Sequence, residues 1–262
     1  MQSRAAKSWH NKDVSASRIP DEVKAAIEGS WPEGLVEEFD TDGSGFHDIH
    51  AALERDLQMI PGASLLWQTP PKDESIYRDL DDGVYEPPFE QDFQSYHVFF
   101  LSPPGGEFEF QTETEGEEAR EDLEDPVDPL DATVTVTYPG KGQYGCTAMV
   151  SLAAPFAAVG FCEYAQFDDG SDSIPDPANF VHFTETGEPV DDATHYREVL
   201  GEDTFRDLEN LRERIAAVLA KHGLAVLDQP ILDLPLPELR SDGDLFLDGT
   251  LSVKDAFFFR GV

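Results

Sequence analysis

The chain has 262 residues, of which 40% are hydrophobic, and its formal net charge at pH 7 is −36. Its 18 phenylalanines add to the apolar surface available for a folded core, which excludes disorder of the whole chain. The length is close to the largest that one hydrophobic core usually supports. We expect residues 1–18 to form a flexible tail and residues 19–262 a single α+β domain, in which residues 19–90 can make a helical N-terminal subregion.

The negative charge limits the classes of partner. A carboxylate excess repels nucleic acid and attracts basic proteins, and the sequence has no basic patch with interleaved aromatic residues. Three explanations compete for the charge: adaptation to high salt, which screens the repulsion; a docking face for a basic protein such as a nuclease or another toxin; and cation binding. We expect a basic protein partner and no nucleic acid.

The sequence also gives an expectation about membranes. Residues 1–18 are polar and lack the apolar segment of a secretory signal. The longest apolar run, residues 152–161, is shorter than the roughly 20 residues that span a bilayer. We expect no membrane association and a cytoplasmic location.

Taken in order, the chain first predicts helices. Apolar spacing and flanking Pro and Gly predict a short helix at residues 19–29 and a second helix at residues 44–60. Residues 63–67 favour a short strand or a continuation of the second helix. The proline-rich, acidic residues 70–88 are typical of a surface loop.

Strands are predicted next. Residues 96–101 and 107–114 indicate two strands joined in a hairpin by a Pro-Pro-Gly-Gly turn. In the second of them, Phe108 and Phe110 alternate with glutamates, so the two rings should share one side of the strand. Residues 180–184 predict one more short strand.

The most apolar block is residues 132–162, where Lys141 is the single charged residue. Such a block favours a heavily covered sheet. A Pro-Gly-Lys-Gly turn at residues 139–142 predicts one hairpin, and Ala153-Ala154-Pro155 predicts the next turn. The three antiparallel strands of this meander would be residues 133–138, 145–152 and 157–167.

The clearest helix is predicted at residues 204–222, because apolar residues form a continuous stripe there. Asp203 or Thr204 would cap its start, and Gly223 suits the left-handed position after its end. The fold class that follows is α+β: mainly an antiparallel β-meander sheet, covered on one face by this long amphipathic helix, with N-terminal helices. The stripe consists of Phe205, Leu208, Leu211, Ile215, Val218 and Leu219.

The C-terminal part predicts smaller elements. Residues 224–227 favour an edge strand, and residues 245–247 and 251–253 favour a small hairpin. The apolar residues 257–259, all phenylalanine, are expected to pack on the body of the protein.

Acidic residues supply the predicted partner-binding site. In residues 116–131, carboxylates far outnumber the single base, Arg120, and such blocks are usually solvated. This segment and part of the preceding acidic loop would form the contact face. Its residues are Glu117, Glu118, Glu121, Asp122, Glu124, Asp125, Asp79, Asp81 and Asp82.

A calcium site is a weaker alternative. Residues 40–46 resemble the opening of an EF-hand loop, with Asp40, Asp42 and Ser44 at three ligand positions. Ala51 stands where the loop needs a bidentate glutamate. The resemblance implies Ca²⁺ binding, and a turn that caps the following helix explains the same residues.

Histidines give a second metal hypothesis. His47 and His50 are three residues apart and Glu54 lies one turn later, whereas helical zinc pairs usually have i, i+4 spacing. Zn²⁺ binding here competes with the interpretation of two surface histidines at the start of a helix.

The two cysteines, Cys146 and Cys162, both lie in the apolar block. Buried, reduced thiols are the favoured interpretation, and a cross-strand disulfide is an alternative. Either thiol with His97 or His182 would make a reactive pair only outside a core. The sequence contains no nucleophile elbow, phosphate-binding loop or dinucleotide-binding glycine motif, so we assign no catalytic residue.

These observations favour a non-enzymatic, strongly acidic protein-binding module that needs no cofactor. In the most concrete version it is an inhibitor or immunity-type protein that neutralises a basic partner. One alternative is a Ca²⁺- or Zn²⁺-binding protein or enzyme that uses residues 40–50. The other is a salt-adapted structural or scaffold protein.

Overall fold

The computed structural model describes most of the chain in separate stretches. Several predicted regions lie outside them, among them residues 1–18, 70–88 and 116–131. The described residues are 19–36, 46–68, 95–115, 135–167, 182–183, 189–190, 192–241 and 249–259.

Helices occur near both ends of the described chain. Those predicted at residues 19–29, 44–60 and 204–222 are confirmed. None of the described helices combines the length and the apolar character that crossing a bilayer requires. The helices are α1 (Asp21–Ser30), α2 (Phe46–Gln58), α3 (Asp192–Leu200), α4 (Glu202–Lys221), α5 (Gln229–Leu232) and α6 (Val253–Phe257).

The strands between them include two long ones in the centre of the chain. The strands are β1 (Leu35–Val36), β2 (Ser64–Gln68), β3 (Tyr96–Ser102), β4 (Glu107–Glu115), β5 (Thr135–Ser151), β6 (Phe156–Phe167), β7 (His182–Phe183), β8 (Pro189–Val190), β9 (Ala225–Leu227) and β10 (Arg240–Ser241).

One sheet organises the molecule. Its strand order is β2-β3-β5-β6-β9, and β4 also pairs with β5. All of these pairs are antiparallel except β6 with β9. Two short pairs, β1–β10 and β7–β8, stand apart from it. The α+β class and the mainly antiparallel sheet are therefore confirmed.

Helix α4 packs on one face of this sheet, as predicted. Its apolar stripe meets the side chains of Phe99, Cys146 and Phe161 in one continuous cluster, to which α2 adds Leu53 and Leu57. The Phe161 and Phe205 rings lie 5.4 Å apart. Because α4 lies across alternate residues of β3, β5 and β6, it buries a complete face of their shared region.

The opposite face is covered too, by segments from both ends of the chain. The side chain of Val98 on β3 and that of Met149 on β5 join a cluster that includes residues of α1 and α6. The Trp31 indole donates a hydrogen bond to the Ala256 carbonyl (3.1 Å). The predicted burial of residues 257–259 is confirmed, with exposed fractions of 0%, 3% and 3%. The sheet is thus enclosed between two layers.

The predicted hairpin between residues 96–101 and 107–114 does not form. Strands β3 and β4 both run antiparallel to β5 and follow one another along the same edge: Leu101 is opposite Cys146 and Glu107 is opposite Gln143. Residues 102–106 therefore bulge out opposite only residues 144–145. Two of them are prolines, which cannot donate to the ladder. The Ser102 hydroxyl donates to the Tyr144 carbonyl (2.9 Å) and secures the bulge.

The second predicted hairpin is also wrong, because residues 139–142 lie inside the single strand β5. Phe110 is opposite Gly140 and Phe108 is opposite Gly142. A Cβ atom on either glycine would collide with the facing ring. These glycines leave room for aromatic rings across the strand rather than forming a turn. The next turn, at residues 152–155, does join β5 to β6.

Two smaller predictions also need correction. Helix α4 begins at Glu202, with Gly201 before it (φ +76°), so neither Asp203 nor Thr204 is the cap. The predicted C-terminal hairpin does not form at residues 251–253, because α6 begins at Val253. Its cap is Ser252, whose Oγ accepts a hydrogen bond from the Asp255 amide (3.2 Å). Gly223 (φ +86°) does follow α4, as predicted.

Polar contacts fasten α2 to the end of α4. Asp56 Oδ2 accepts a hydrogen bond from Lys221 Nζ (2.6 Å) and lies 3.0 Å from His222 Nε2. The Lys221 and His222 hydrogen bonds, in that order, lower the pKa of Asp56. Basic groups at this position also suit the negative end of the α4 dipole.

Candidate partner-binding face

Beyond the enclosed part, the sheet continues as a three-stranded extension. We call it the ribbon: residues 107–115, 135–144 and 163–167. Antiparallel pairing runs through it without interruption, from Glu107 opposite Gln143 to Glu115 opposite Thr135. Because side chains alternate along a strand, the ribbon has two faces of different chemistry.

The acidic face consists of Glu107, Glu109, Gln111, Lys141 and Gln143. Both glutamates and Gln111 are exposed. Lys141 is the register partner of Glu109, and like Glu109 it is exposed. Carboxylates on this face are therefore available to a basic group, with one lysine among them.

The aromatic face consists of Phe108, Phe110 and Tyr144. The Phe108 ring stacks on Tyr144, with centroids 4.4 Å apart, and lies 6.0 Å from Phe110. All three side chains are half-buried. Gly140 and Gly142 form the floor beneath the two phenylalanines, so flat rings lie close against the backbone of β5.

A shallow depression lies on β4 and β5. Its volume is about 490 Å³. It is lined by Glu109, Phe110, Gln111, Pro139, Gly140 and Lys141.

At the inner end of the aromatic face stands Glu163, the register partner of Tyr144. The carboxyl group is half-buried, and desolvation raises its pKa, while the charge of His195 on α3 acts in the opposite direction. Burial also raises the pKa of Tyr144, and the charge of Glu163 adds to that rise. The two groups are thus electrostatic neighbours.

Sequence reasoning missed Glu163, although a signal existed. Along β6, Phe161 and Ala165 occupy the same face as Glu163, so a carboxylate interrupts an apolar alternation. A charge placed in such a period indicates either an error of register or a site. The register places this carboxylate opposite Tyr144.

Of the residues in the second metal hypothesis, the structure places the side chains of His50 and Glu54. His50 on α2 lies 5.1 Å from His97 on β3 and 5.2 Å from Phe99, between ring centroids. Glu54 instead accepts a hydrogen bond from Gln58 (2.9 Å) and another from Gln68 (3.3 Å). Nowhere among the described residues do three or more His, Cys, Asp or Glu side chains gather in a way that would hold a metal ion.

Other predicted site residues are not described. His47 belongs to α2, but its side chain is not placed. The acidic contact face and the first calcium ligands stay predictions, because these residues lie outside the described stretches: Asp40, Asp42, Ser44, Asp79, Asp81, Asp82, Glu117, Glu118, Glu121, Asp122, Glu124 and Asp125.

Both cysteines are buried and neither forms a disulfide, as favoured. Cys146 is opposite Phe161, and Cys162 is opposite Gly145. The offset of one residue puts the two thiols on opposite faces of the sheet, so a disulfide between them is excluded. Burial strongly raises the pKa of Cys146, which removes it as a nucleophile.

With this geometry in hand, the chain was compared with known proteins. No protein-family model, no curated protein and no solved structure matches it. An argument about function therefore starts from the residues of this chain alone.

Proposed function

We propose that this protein is a non-enzymatic, strongly acidic binding module for a basic protein, of the inhibitor or immunity type. The ribbon is its contact surface, together with the acidic residues 116–131 that connect β4 to β5 in sequence. In this role the protein neutralises its partner by covering a basic surface.

The observation that carries the proposal is the two-sided chemistry of the ribbon. Glu107 and Glu109 project from one face and Phe108 and Phe110 from the other. Carboxylates accelerate and orient the approach of a basic protein. Aromatic side chains supply the contacts that hold interfaces together.

The ribbon also suggests how a partner would bind. A segment that runs alongside β4 meets both faces at once, because its own side chains alternate. Basic residues would then contact Glu107 and Glu109, and apolar residues between them would contact Phe108. An extended segment that alternates basic and apolar residues is the complementary sequence.

A different observation favours a second candidate, a salt-adapted structural protein. Exposed acids also occur far along the chain from the ribbon, on α1 and α4. They include Asp21, Glu22, Glu28, Glu202, Asp203, Asp207 and Glu213. A general coat of carboxylates needs salt to screen its repulsion, so this candidate predicts unfolding upon dialysis to low salt.

The experiment that tests the proposed function is affinity capture from the native host, at low and high salt, with three forms of the protein. The forms are the wild type, E107K/E109K on the acidic face, and D207K/E213K on α4. Both double variants change the net charge equally, and all four side chains are exposed.

We expect the wild type and D207K/E213K to retain a basic protein at low salt and E107K/E109K to lose it. High salt should weaken capture by the first two forms. Capture of no basic protein by the wild type, or equal loss in both variants, would contradict the proposal.

A further inference from the structure

The hydrogen-bond pattern between β4 and β5 follows from their register. In an antiparallel ladder, hydrogen-bonded pairs alternate with non-hydrogen-bonded pairs, whose residues direct their N–H and C=O away from each other. Pro139 has no N–H to donate, so its pair with Gln111 is of the second kind. At the other end of the ladder, the Tyr144 amide donates to the Gly106 carbonyl (2.8 Å). Counting along the register from this bond gives the same alternation.

This alternation shows which backbone groups point out of the sheet. Glu107, Glu109 and Gln111 direct their N–H and C=O groups away from β5, toward the outer edge of β4. Within the described part of the chain, β4 pairs with β5 alone, and the outward groups of these three residues have no hydrogen-bond partner there. Such a row of unpaired donors and acceptors is a template for pairing with another chain.

The side chains at this edge limit what can pair with it. Glu107, Glu109 and Gln111 are exposed on the acidic face, and Lys141 lies on β5, so β4 separates that lysine from the outer edge. Pairing of β4 with a second copy of itself is disfavoured, because its alternate residues are mostly glutamate and like charges opposite one another destabilise a sheet. A strand with basic residues at alternate positions is the complementary occupant.

We infer that an extended segment of the basic partner adds to β4 as a further strand, held by main-chain hydrogen bonds to Glu107, Glu109 and Gln111. This inference rests on the proposed function and specifies the binding mode within it. In antiparallel addition, the residues opposite these three share their face and exchange hydrogen bonds with them, so the basic residues supply the main-chain bonds. The apolar residues between them turn their own N–H groups away from β4.

The probe is a blocked octapeptide in which lysine alternates with valine. In one derivative every lysine amide nitrogen carries a methyl group, and in the other every valine amide nitrogen does. The two derivatives have the same charge, the same side chains and the same number of methyl groups, and they differ only in which amides can donate. Binding of the parent peptide and of both derivatives to the wild type is measured by calorimetry at low salt.

We expect methylation of the lysine amides to weaken binding by about tenfold or more, because these amides can no longer donate to the outward carbonyls of β4. Methylation of the valine amides should weaken it by about threefold or less. A loss confined to the valine-methylated peptide would support the added strand in the parallel direction, because parallel pairing uses the other set of amides.

A matched pair of variants tests the same edge from the side of the protein. Q111P removes one outward N–H without a change of charge, whereas Q111V keeps it. Gln111 faces Pro139 in a non-hydrogen-bonded pair, so neither variant costs a bond to β5. Q111P should weaken binding of the parent peptide by about three- to tenfold, and Q111V should leave it unchanged within about twofold.

Equal binding of the two methylated peptides would overturn the added strand and leave the proposed function intact, since charge alone would then hold the partner. Failure of the parent peptide to bind, or equal effects of Q111P and Q111V, would also overturn it. Host capture that depends on Glu107 and Glu109 decides the proposed function independently of these results.

Discussion

Strands β5 and β6 each have one part that is enclosed between the two covering layers and one part that extends beyond them into the ribbon. The residues of the two parts differ in burial. From Gly145 to Ser151, every residue of β5 is buried. From Pro139 to Gly142, exposed and buried residues alternate. The same two strands carry both patterns, so the two covering layers, rather than the strand itself, decide whether one face or both can be apolar. Where the layers end, charged residues such as Glu109 and Lys141 return and are exposed.

The largest expected difference between the two environments concerns aromatic side chains. Phe99 in the enclosed half is fully buried, and F99A should lower the free energy of unfolding by about 3–5 kcal/mol. Phe108 in the ribbon is only half-buried and stacks on Tyr144 of the neighbouring strand. F108A removes this cross-strand contact and should lower the free energy of unfolding by about 1 kcal/mol. Urea unfolding monitored by circular dichroism measures both. Equal costs would show that the ribbon is as tightly covered as the core.

Glycine substitutions should show a smaller difference of the same kind. A Cβ at position 145 would meet the Leu101 carbonyl oxygen, which is backbone and cannot move aside, so we expect G145A to cost about 1–3 kcal/mol. At Gly142 the nearest atoms all belong to the Phe108 ring, which can rotate away.

A double-mutant cycle tests this explanation. F108A should relieve most of the cost of G142A, whereas F100A should leave most of the cost of G145A, because the Leu101 carbonyl remains. Thermal unfolding gives all six values. Relief of G145A by F100A would mean that the ring alone forbids a side chain at that position.

The smallest expected effect concerns the polar fastening between α2 and α4. The hydrogen bond from Lys221, and then that from His222, lowers the pKa of Asp56 in the folded protein. The contribution to stability is therefore present above the unfolded-state pKa and is lost as pH falls through the folded-state pKa. D56N should be less stable than the wild type at pH 7, and the difference should disappear in acid.

The matched control is D203N. Asp203 pairs with Arg206 at 2.7 Å, but its side chain is 90% exposed. Such a pair contributes little, so D203N should follow the wild type at every pH. Chemical unfolding between pH 2 and 8 compares the three proteins, and a D56N curve parallel to the wild type would refute the assigned role of Asp56.

Elements with a strong apolar period could be predicted from the sequence. The stripe from Phe205 to Leu219 located α4, because burial of a helix face requires that spacing. The turns were harder. Gly140 and Gly142 belong to a sequence that is typical of a hairpin turn. In the structure they lie within a strand, where they leave room for the facing rings of Phe110 and Phe108. That pairing depends on residues some 30 positions apart, which local patterns do not reveal.

Some features of the structure do have a sequence pattern that predicts them, but a neighbouring pattern favoured a different structure. Ser252 and Asp255 have the spacing of a capping box and form one, but the apolar residues nearby suggested a hairpin. In the site, Glu163 interrupts the apolar face of β6. Its position opposite Tyr144 depends on the register of β5 with β6, which the sequence alone does not supply.

Amide hydrogen exchange with and without a blocked octapeptide in which lysine alternates with valine tests the central claim, that the ribbon binds a basic partner, most directly. If the ribbon is the binding face, residues 107–111 of β4 should exchange more slowly with peptide, while α1 and the enclosed strand β3 should be unchanged. Protection on α1 or α4 instead, with β4 unaffected, would contradict the account.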